Sequence, residues 1–426
     1  MLMLLLFIGM VILICINVPI AVALALAGVG GLVATEGLNS LVSIALDMYG
    51  GATKFSLIAI PMFVLAGAIM NAGGITDRLI NFVSAIIGFI RGGLAMVNIG
   101  VSLFFAEISG SAVADVAAMG SILIPQMRKR GYSKELSAAV TSSSASLAII
   151  IPPSIPMILY AASANTSVEQ LFVAGVVPGL IGAAGLMGVA YVFARRYDLP
   201  TEEAFNTRRL RETFVDALPA FTLPVIILGG IFGGFVTATE AAGLAVIAAL
   251  AVSAWYRNLD LGHLRRAMLD GGMQTAVVML LVAASVLMGG FLTRAQVPQD
   301  IARAILDMTD QQWIILLILN VFFLIIGFFL HSAAAIILVI PIVIPLVNAA
   351  GIDPVHFGLV VTLNLAIGQQ TPPVASVLIT ACAVARANIW EVSKVNIWFV
   401  LVLLAVLLLC TYVPSVPLFL VEYFYR

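Results

Sequence analysis

Residues 141–154 read Thr141-Ser-Ser-Ser-Ala-Ser146-Leu-Ala-Ile-Ile-Ile151-Pro-Pro-Ser154, and 220 positions after the first Pro-Pro the chain has Gly368-Gln-Gln-Thr-Pro-Pro373. A Pro-Pro pair cannot continue a helical ladder, and the residue before a proline is pushed out of the helical region. Both stretches lie in apolar surroundings. A helix that breaks there leaves carbonyls of its last turn without intrahelical partners. Within a membrane such irregular backbone is tolerated only where protein buries it or where it lines a cavity.

The match extends outward from the breaks. At the same offset of 220, Pro125 falls on Pro345, Gly131 on Gly351, Val140 on Val360 and Ala161 on Ala381. Upstream, Asn71-Ala72-Gly73 drifts to an offset near 222 against Thr293-Arg294-Ala295. Identity is low, so the internal repeat rests on the shared Pro–Gly–Pro-Pro spacing.

Composition sets the environment. Of 426 residues 62% are apolar and 10% charged, with a mean hydropathy of +1.16, against about 25% charged in a soluble domain. An ordinary cytosolic enzyme, a nucleic-acid binder and a disordered regulator are excluded. At about 20 residues per spanning helix, the chain is long enough for about a dozen passes. The net charge of −1 carries no information about partners. Cys15, Cys382 and Cys410 are far apart in apolar runs, without metal-ligand spacing, and read as small packing residues. The apolar N-terminus has no Lys or Arg before Lys54, so retained helices are expected rather than a cleaved signal peptide.

Apolar runs delimit segments 3–16, 18–34, 55–71, 94–127, 135–163, 168–194, 213–235, 238–256, 268–293, 313–348, 355–385 and 395–423. Two are too long for one pass, and each has small or polar residues in its middle, Ser109-Gly110-Ser111 and His331-Ser332. Re-entrant helical hairpins fit that pattern; one long tilted helix or two crossings with a short loop are the other readings. With two hairpins and ten crossings, sixteen of the twenty Lys and Arg fall on one side, leaving only Lys54, Arg294, Arg303 and Arg426 opposite. The positive-inside rule makes the crowded side cytoplasmic and puts both termini on the outer face. The repeats are then inverted. The expected fold is an all-α integral membrane protein with about ten membrane-crossing helices and two re-entrant hairpins. Paired broken helices in inverted repeats point to a secondary transporter with its site at the midplane.

The breaks suggest chemistry. Unpaired carbonyls before Pro152, with Ser and Thr hydroxyls to complete a shell, suit sodium, because hard cations take oxygen ligands. Half-helices starting near Ala112 and Ser154 present free N–H groups and a positive dipole end, which suit an anion. Candidate substrate contacts are therefore Ser111, Ala112, Pro153 and Ser154, joined by Gln369 and Gln370. Helix packing is the other reading of the serine run, since small residues let membrane helices approach. Glu107 and Asp115 flank the first tip and are expected to hold it rather than ligate. Glu240, after Thr237, is expected to cap a helix. His331 is expected to make a polar contact at the second tip, and Arg294 to snorkel at an outer helix end. No zinc helix, phosphate loop or Ser/His/Asp constellation is present. Without an ATP-binding loop, uphill transport must draw on an ion gradient.

The sequence resembles the large membrane subunit of tripartite ATP-independent periplasmic (TRAP) transporters over nearly its whole length. The resemblance is carried by Ile60-Pro-Met-Phe-Val-Leu-Ala-Gly67, Met70-Asn-Ala-Gly-Gly74, Ser109-Gly-Ser-Ala-Val-Ala-Asp115, Ile151-Pro-Pro-Ser-Ile155, Leu171-Phe-Val-Ala-Gly-Val-Val-Pro-Gly179, Gly351-Ile-Asp-Pro354 and Thr371-Pro-Pro373. It implies a sodium-driven elevator of the ion transporter superfamily, in which hairpins and broken helices slide against a scaffold. On that pattern residues 1–93 are scaffold and arm helices of repeat 1, 94–163 its transport-domain hairpin and broken helix, 164–312 connecting and scaffold helices of repeat 2, 313–385 the second hairpin and broken helix, and 386–426 a C-terminal helix. Sodium sites carried over by resemblance are Ser109, Gly110, Ser144 and Pro152 in one copy, and Ser332, Gly368, Thr371 and Pro372 in the other. Sodium is cargo, and no organic cofactor is expected. The implied partners are a small four-helix membrane subunit, a periplasmic substrate-binding protein and an organic acid anion such as a dicarboxylate, sialic acid or sugar acid, in a bacterial inner membrane and without nucleic acid. Two departures stand out: Gln369-Gln370 where the family usually has an apolar pair, and Ala238-Thr-Glu240 where it has Pro-Thr-Glu. A stand-alone sodium/anion symporter of the same superfamily is the alternative function. An intramembrane hydrolase using Ser109 or Ser111 is the remote one.

Overall fold

The computed structural model describes residues 6, 8–10, 12, 13, 16, 18–201, 204–257 and 261–425. Most of the expected segment 3–16, Cys15 included, lies outside the described residues. Within them, every regular element is helical. The first half comprises α1 (Ile20–Glu36), α2 (Leu41–Ala52), α3 (Ala59–Ala72), α4 (Ile75–Ile87), α5 (Gly93–Ser109), α6 (Ala112–Lys129), α7 (Lys134–Ala145), α8 (Ile155–Ala164) and α9 (Val168–Arg196). A linking pair follows, α10 (Thr207–Ala217) and α11 (Thr222–Phe232), bent by 55°. The second half contains α12 (Ala238–Trp255), α13 (Leu261–Arg294), α14 (Val297–Leu306), α15 (Gln312–Phe329), α16 (Ser332–Ala349), α17 (Pro354–Gly368), α18 (Ser376–Ala385), α19 (Ile389–Tyr412) and α20 (Ser415–Tyr425).

Both overlong apolar runs are helix–tip–helix units, α5/α6 and α15/α16, with two-residue connections at Gly110-Ser111 and Leu330-His331. Several boundaries differ from those drawn on hydropathy. Segment 213–235 is divided by Pro219 into an amphipathic α10 and the apolar α11, and 395–423 is divided at Pro414. The short helices α2, α4 and α14 lie outside the expected segments. The polar exposed faces of α4 and α14 break up the apolar runs on which those segments rest.

From α3 to α9 and from α13 to α19 the helices follow the same order. The stops between them recur as well. Left-handed residues stand at Gly74 and Gln296 (φ 69° and 58°), at Gly131 and Gly351 (88° and 68°), and at Asn165 and Arg386 (51° and 52°). Side-chain caps recur at Ser133 and Asp353, which open α7 and α17, and at Ser167 and Asn388, which open α9 and α19. Each cap accepts from amides of the first turn that have no carbonyl partner of their own.

Packing is reciprocal between the halves. The second arm of the first hairpin, α6, lies on α18, and the second arm of the other hairpin, α16, lies on α8. Around this interlocked centre α13 runs along α1, α2 and α3, and α12 packs on α3. The helices that lead into the breaks have almost no exposed face: Leu136 to Ala145 in α7 and Val355 to Gly368 in α17 are all buried. A helix buried all round is normally apolar all round. α7 instead carries Thr141 and four further serines there, Ser137, Ser142, Ser143 and Ser144, whose hydroxyls need partners inside the protein.

Candidate functional site

After α7 the chain takes one short 3₁₀ turn, Ser146–Ile149, then crosses the cis Pro152–Pro153 bond and restarts as α8. Ser154 caps α8: its Oγ accepts from the Met157 amide (3.4 Å) and donates to the Ile149 carbonyl (2.7 Å), closing the break on itself. The first hairpin tip lies on this break. Gly110 has φ 59°, and a Cβ there would sit 2.9 Å from the Pro153 oxygen and 3.1 Å from the Ile155 nitrogen. Only glycine meets both the left-handed backbone and the close approach. Pro152, Pro153 and Ser154 are all buried beneath it.

The second break follows Gly368, with a second cis bond at Pro372–Pro373. Here no side chain caps the next half-helix; the Gln369 carbonyl accepts from the Val377 and Leu378 amides, at 3.2 and 3.4 Å. The second hairpin reaches this break through the end of its first arm. A Cβ on Gly368 would stand 2.5 Å from Gly327 backbone atoms, and the Val374 amide donates to the Phe328 carbonyl at 3.2 Å. Thr371 and Pro372 are half-buried, and Pro373 and Val374 are exposed.

A buried asparagine from each hairpin's first arm meets the helix that enters the corresponding break. Asn98 on α5 donates to Thr141 Oγ1 (2.7 Å) and accepts from Ser144 Oγ (3.1 Å), while Ser102 Oγ donates to Ser144 Oγ (3.0 Å). Asn320 on α15 accepts from Asn364 Nδ2 (2.7 Å) and donates to Thr411 Oγ1 (3.1 Å). The pairs Asn98–Asn320 and Ser144–Asn364 differ by 222 and 220 positions, the same offsets as the repeat. Asn364 Oδ1 is buried without a hydrogen-bond partner among the described residues, an acceptor held in protein close before the second break.

The breaks also touch each other. Gln370 Nε2 donates to the Ser142 carbonyl and to Ser146 Oγ, both on the approach to the first break.

The family model described as "Tripartite ATP-independent periplasmic transporter, DctM component" matches residues 7–416. The chain belongs to this family. It is 38% identical to the C4-dicarboxylate TRAP transporter large permease protein DctM of Pseudomonas aeruginosa, over 89% of each chain. It is 39% identical to the isethionate TRAP transporter permease protein DctMQ of Oleidesulfovibrio alaskensis, covering 91% of this chain and 62% of that one. Among solved structures, the YdaH transporter of Alcanivorax borkumensis superposes with a TM-score of 0.66 over 89% of both chains at 14% identity, a likeness of fold. The chain is thus the large permease component of a TRAP transporter, a multi-pass membrane protein that carries solutes.

In this TRAP permease the sequence-derived site residues fall into two groups. Gly110, Pro152, Pro153 and Ser154 come together where the first tip covers the first break. Ser111 caps α6, accepting from the Ala114 amide at 3.5 Å, and Ala112 is buried in the first turn. Ser144 lies back from the break, in the Asn98 network. Ser109 ends α5, and its side chain, like that of Glu107, lies outside the described residues. At the second break stand Gly368, Gln369, Gln370, Thr371 and Pro372. Thr371 Oγ1 donates to the Ile367 carbonyl (3.0 Å), and Ser376 Oγ donates to Gln369 Oε1 (3.2 Å). Ser332 is buried in the first turn of α16. Glu240 completes a capping box with Thr237. Arg294, at the end of α13, forms ion pairs with Glu36 (2.7 Å) and Asp47 (3.7 Å), which tie α1, α2 and α13 together.

Sequence reasoning does not single out Asn98, Ser102, Asn320, Asn364, Asn396 and Thr411. The available signal is an amide in an apolar run, such as Val97-Asn98-Ile99 or Leu319-Asn320-Val321, at the repeat's own offset. Two further features surround the site. Lys54 Nζ, before α3, donates to the Ala162 carbonyl in the last turn of α8 (2.7 Å), where helix carbonyls lack partners and a cation is favourable. A cavity of about 420 Å³ separates α3 and α13 from the first turns of α6, lined by Asn71, Ala114, Ala118, Arg266, Asp270 and Gln274 among others.

Proposed function

We propose that this TRAP permease imports an organic acid anion by sodium-coupled secondary transport, with the interlocked hairpins and broken helices moving as one body against the remaining helices. The observation that carries the reading is the pair of helix breaks, each met by its own hairpin, in two successions of the same helix order. Broken helices in repeated halves are how secondary transporters build ion and substrate sites within a membrane. In this reading the halves are inverted in the membrane. Nine of the ten crossings are α1, the Phe55–Ala72 span containing α3, α9, the bent α10/α11 pair, α12, α13, the broken pairs α7/α8 and α17/α18, and α19; the tenth expected from sequence, 3–16, lies mostly outside the described residues. Seven helices of the described residues are long and apolar enough to span, eight with the bent pair; the arms α15 and α16 are two of the seven, and the proposal assigns them to the re-entrant hairpin. Both termini then face the periplasm.

Sodium is assigned to Ser109, Gly110, Ser144 and Pro152 at one break and to Ser332, Gly368, Thr371 and Pro372 at the other. The substrate anion is assigned to Ser111, Ala112, Pro153, Ser154 and Gln369, where helix N-termini favour negative charge. Of the six substrate contacts drawn from sequence, Gln370 is given a different task below, because its amide is already engaged by α7. The cavity beside α6, with Arg266 at its wall, serves as the cytoplasmic passage. The relatives' names, C4-dicarboxylate and isethionate, support an organic acid as cargo. A fused relative named DctMQ and the family's tripartite description support a small membrane subunit and a periplasmic binding protein as partners.

The test is uptake of radiolabelled organic acids into proteoliposomes holding the chain and its small subunit, with and without an inward sodium gradient and the matching binding protein. Uptake that needs both supports the three-component reading. Uptake without any sodium dependence removes the cation assignments.

A further inference from the structure

Gln370 and Asn396 join three stretches of the chain, residues 142–146, the second break and α19. Gln370 lies in the second break. Its Nε2 donates to the Ser142 carbonyl, in the last turns of α7, and to Ser146 Oγ, on the turn that follows. Asn396 comes from α19. Its Nδ2 donates to the Gln370 carbonyl (3.2 Å) and to Gln370 Oε1 (3.3 Å), while its Oδ1 accepts from Ser143 Oγ (2.7 Å). Gln370, Asn396 and Ser143 are each 1% exposed, and Ser142 and Ser146 are fully buried.

Every polar atom of the two amide side chains is used inside the protein, so neither is left to contact a substrate in this state. The bonds run from one break to the other, with α19 as a strut. In a buried, low-dielectric setting, removing one partner leaves the others unsatisfied, so the set holds or fails together. An apolar side chain at 370 would lose the bonds to Ser142, to Ser146 and from Asn396 to Oε1, and keep only the one that Asn396 gives to the backbone carbonyl.

We infer that Gln370 and Asn396 act as positioning residues that tie the two breaks into one unit, so that sodium bound at one break orders the oxygens of the other. The inference rests on the sodium reading above. A first ion that bears the ordering cost for both breaks leaves less for the second to bear, which is positive cooperativity without a large movement. Coupling of this kind typically changes affinity by about five- to 150-fold.

The experiment measures the sodium dependence of the melting midpoint of the purified permease with its small subunit in detergent, and of uptake in proteoliposomes. It compares wild type with Gln370→Met, Asn396→Leu and Ser143→Ala. Wild type is expected to respond to sodium with a Hill coefficient above one in both measurements. Gln370→Met and Asn396→Leu are expected to bring it to about one and to raise the half-saturating sodium concentration about tenfold. The half-saturating organic acid concentration at saturating sodium stays unchanged. Ser143→Ala removes one bond of this set, that to Asn396, together with the hydroxyl's bond to the Ala139 carbonyl of its own helix; it is expected to fold and to give an intermediate loss, which keeps the inference testable if the larger changes disrupt folding. Variants that retain the wild-type Hill coefficient and sodium affinity overturn the coupling while leaving the sodium reading intact. Tighter sodium binding in Gln370→Met overturns it too, because the amide would then be competing with the ion. A wild type with no sodium response in either measurement overturns the sodium reading itself, and the coupling with it.

Discussion

The two breaks are built on one plan and finished differently. Both carry a cis Pro-Pro bond, both are approached through a glycine, and both are entered by a helix buried from its first turn onward and held by an asparagine from the neighbouring hairpin. At the first break Ser154 supplies a side-chain cap, Gly110 lies directly over Pro153, and the Pro-Pro-Ser turn is buried. At the second, a backbone carbonyl replaces the side-chain cap, the hairpin touches through Gly327 and Phe328 below its tip, and Pro373 and Val374 are exposed. The two breaks share the elements that fix the backbone and differ in those that cover it.

Substitutions at the two glycines are expected to have the largest effects. Gly368→Ala drives a Cβ to 2.5 Å from the Gly327 backbone, which cannot be relieved by a side-chain rotation. Overpacking typically costs about 1–3 kcal/mol and a clash with fixed backbone falls at the upper end, so uptake is expected to be lost and the melting midpoint to fall. Gly110→Ala meets a left-handed backbone, costing about 1–2 kcal/mol, plus the contact with Pro153, and should be the milder of the two by midpoint. The reverse order would mean that the first tip, not the second arm, is the tighter joint.

Next are the asparagines. Asn98→Ala and Asn320→Ala each leave buried partners unsatisfied, for about 1–3 kcal/mol, measured as chemical or thermal unfolding in detergent. Equal losses sharpen the equivalence of the halves. A loss at only one of them breaks it.

The caps give a smaller contrast. Ser154→Ala removes the side-chain cap of α8 and is expected to cost about 1 kcal/mol, whereas Ser376→Ala removes no cap from α18 and loses only the bond to Gln369 Oε1, so its midpoint should fall by less. Lys54→Ala has the smallest expected effect on stability, below about 1 kcal/mol, because the side chain is exposed. Its bond to Ala162 ties the loop before α3 to a half-helix of the proposed moving body. Transport rate is therefore the sensitive readout, and a change in rate without a change in midpoint is the expected result.

Much of this architecture is legible in the order of the residues. Pro152-Pro153, Pro372-Pro373, Gly110, Gly131 and Gly351 act through their own backbone chemistry, which is local, and each stands where its residue type implies. The hairpins follow from run length and a polar centre. The helices α4 and α14 do not, because their exposed polar faces interrupt the apolar runs that mark out the segments. The site is only half legible. Ser144 reads as a hydroxyl near a break, but its partners Asn98 and Ser102 lie 46 and 42 residues away, and no spacing rule joins them.

Sequence alone determined the environment, the helix content, the two breaks, their tips and the repeat, since hydropathy, proline and glycine act on the residues beside them. The tertiary structure decided which polar groups meet. A buried amide such as Gln370 or Asn396 takes whichever partner the packing brings within reach, and only the folded chain sets Ser142, Ser143 and Ser146 against them.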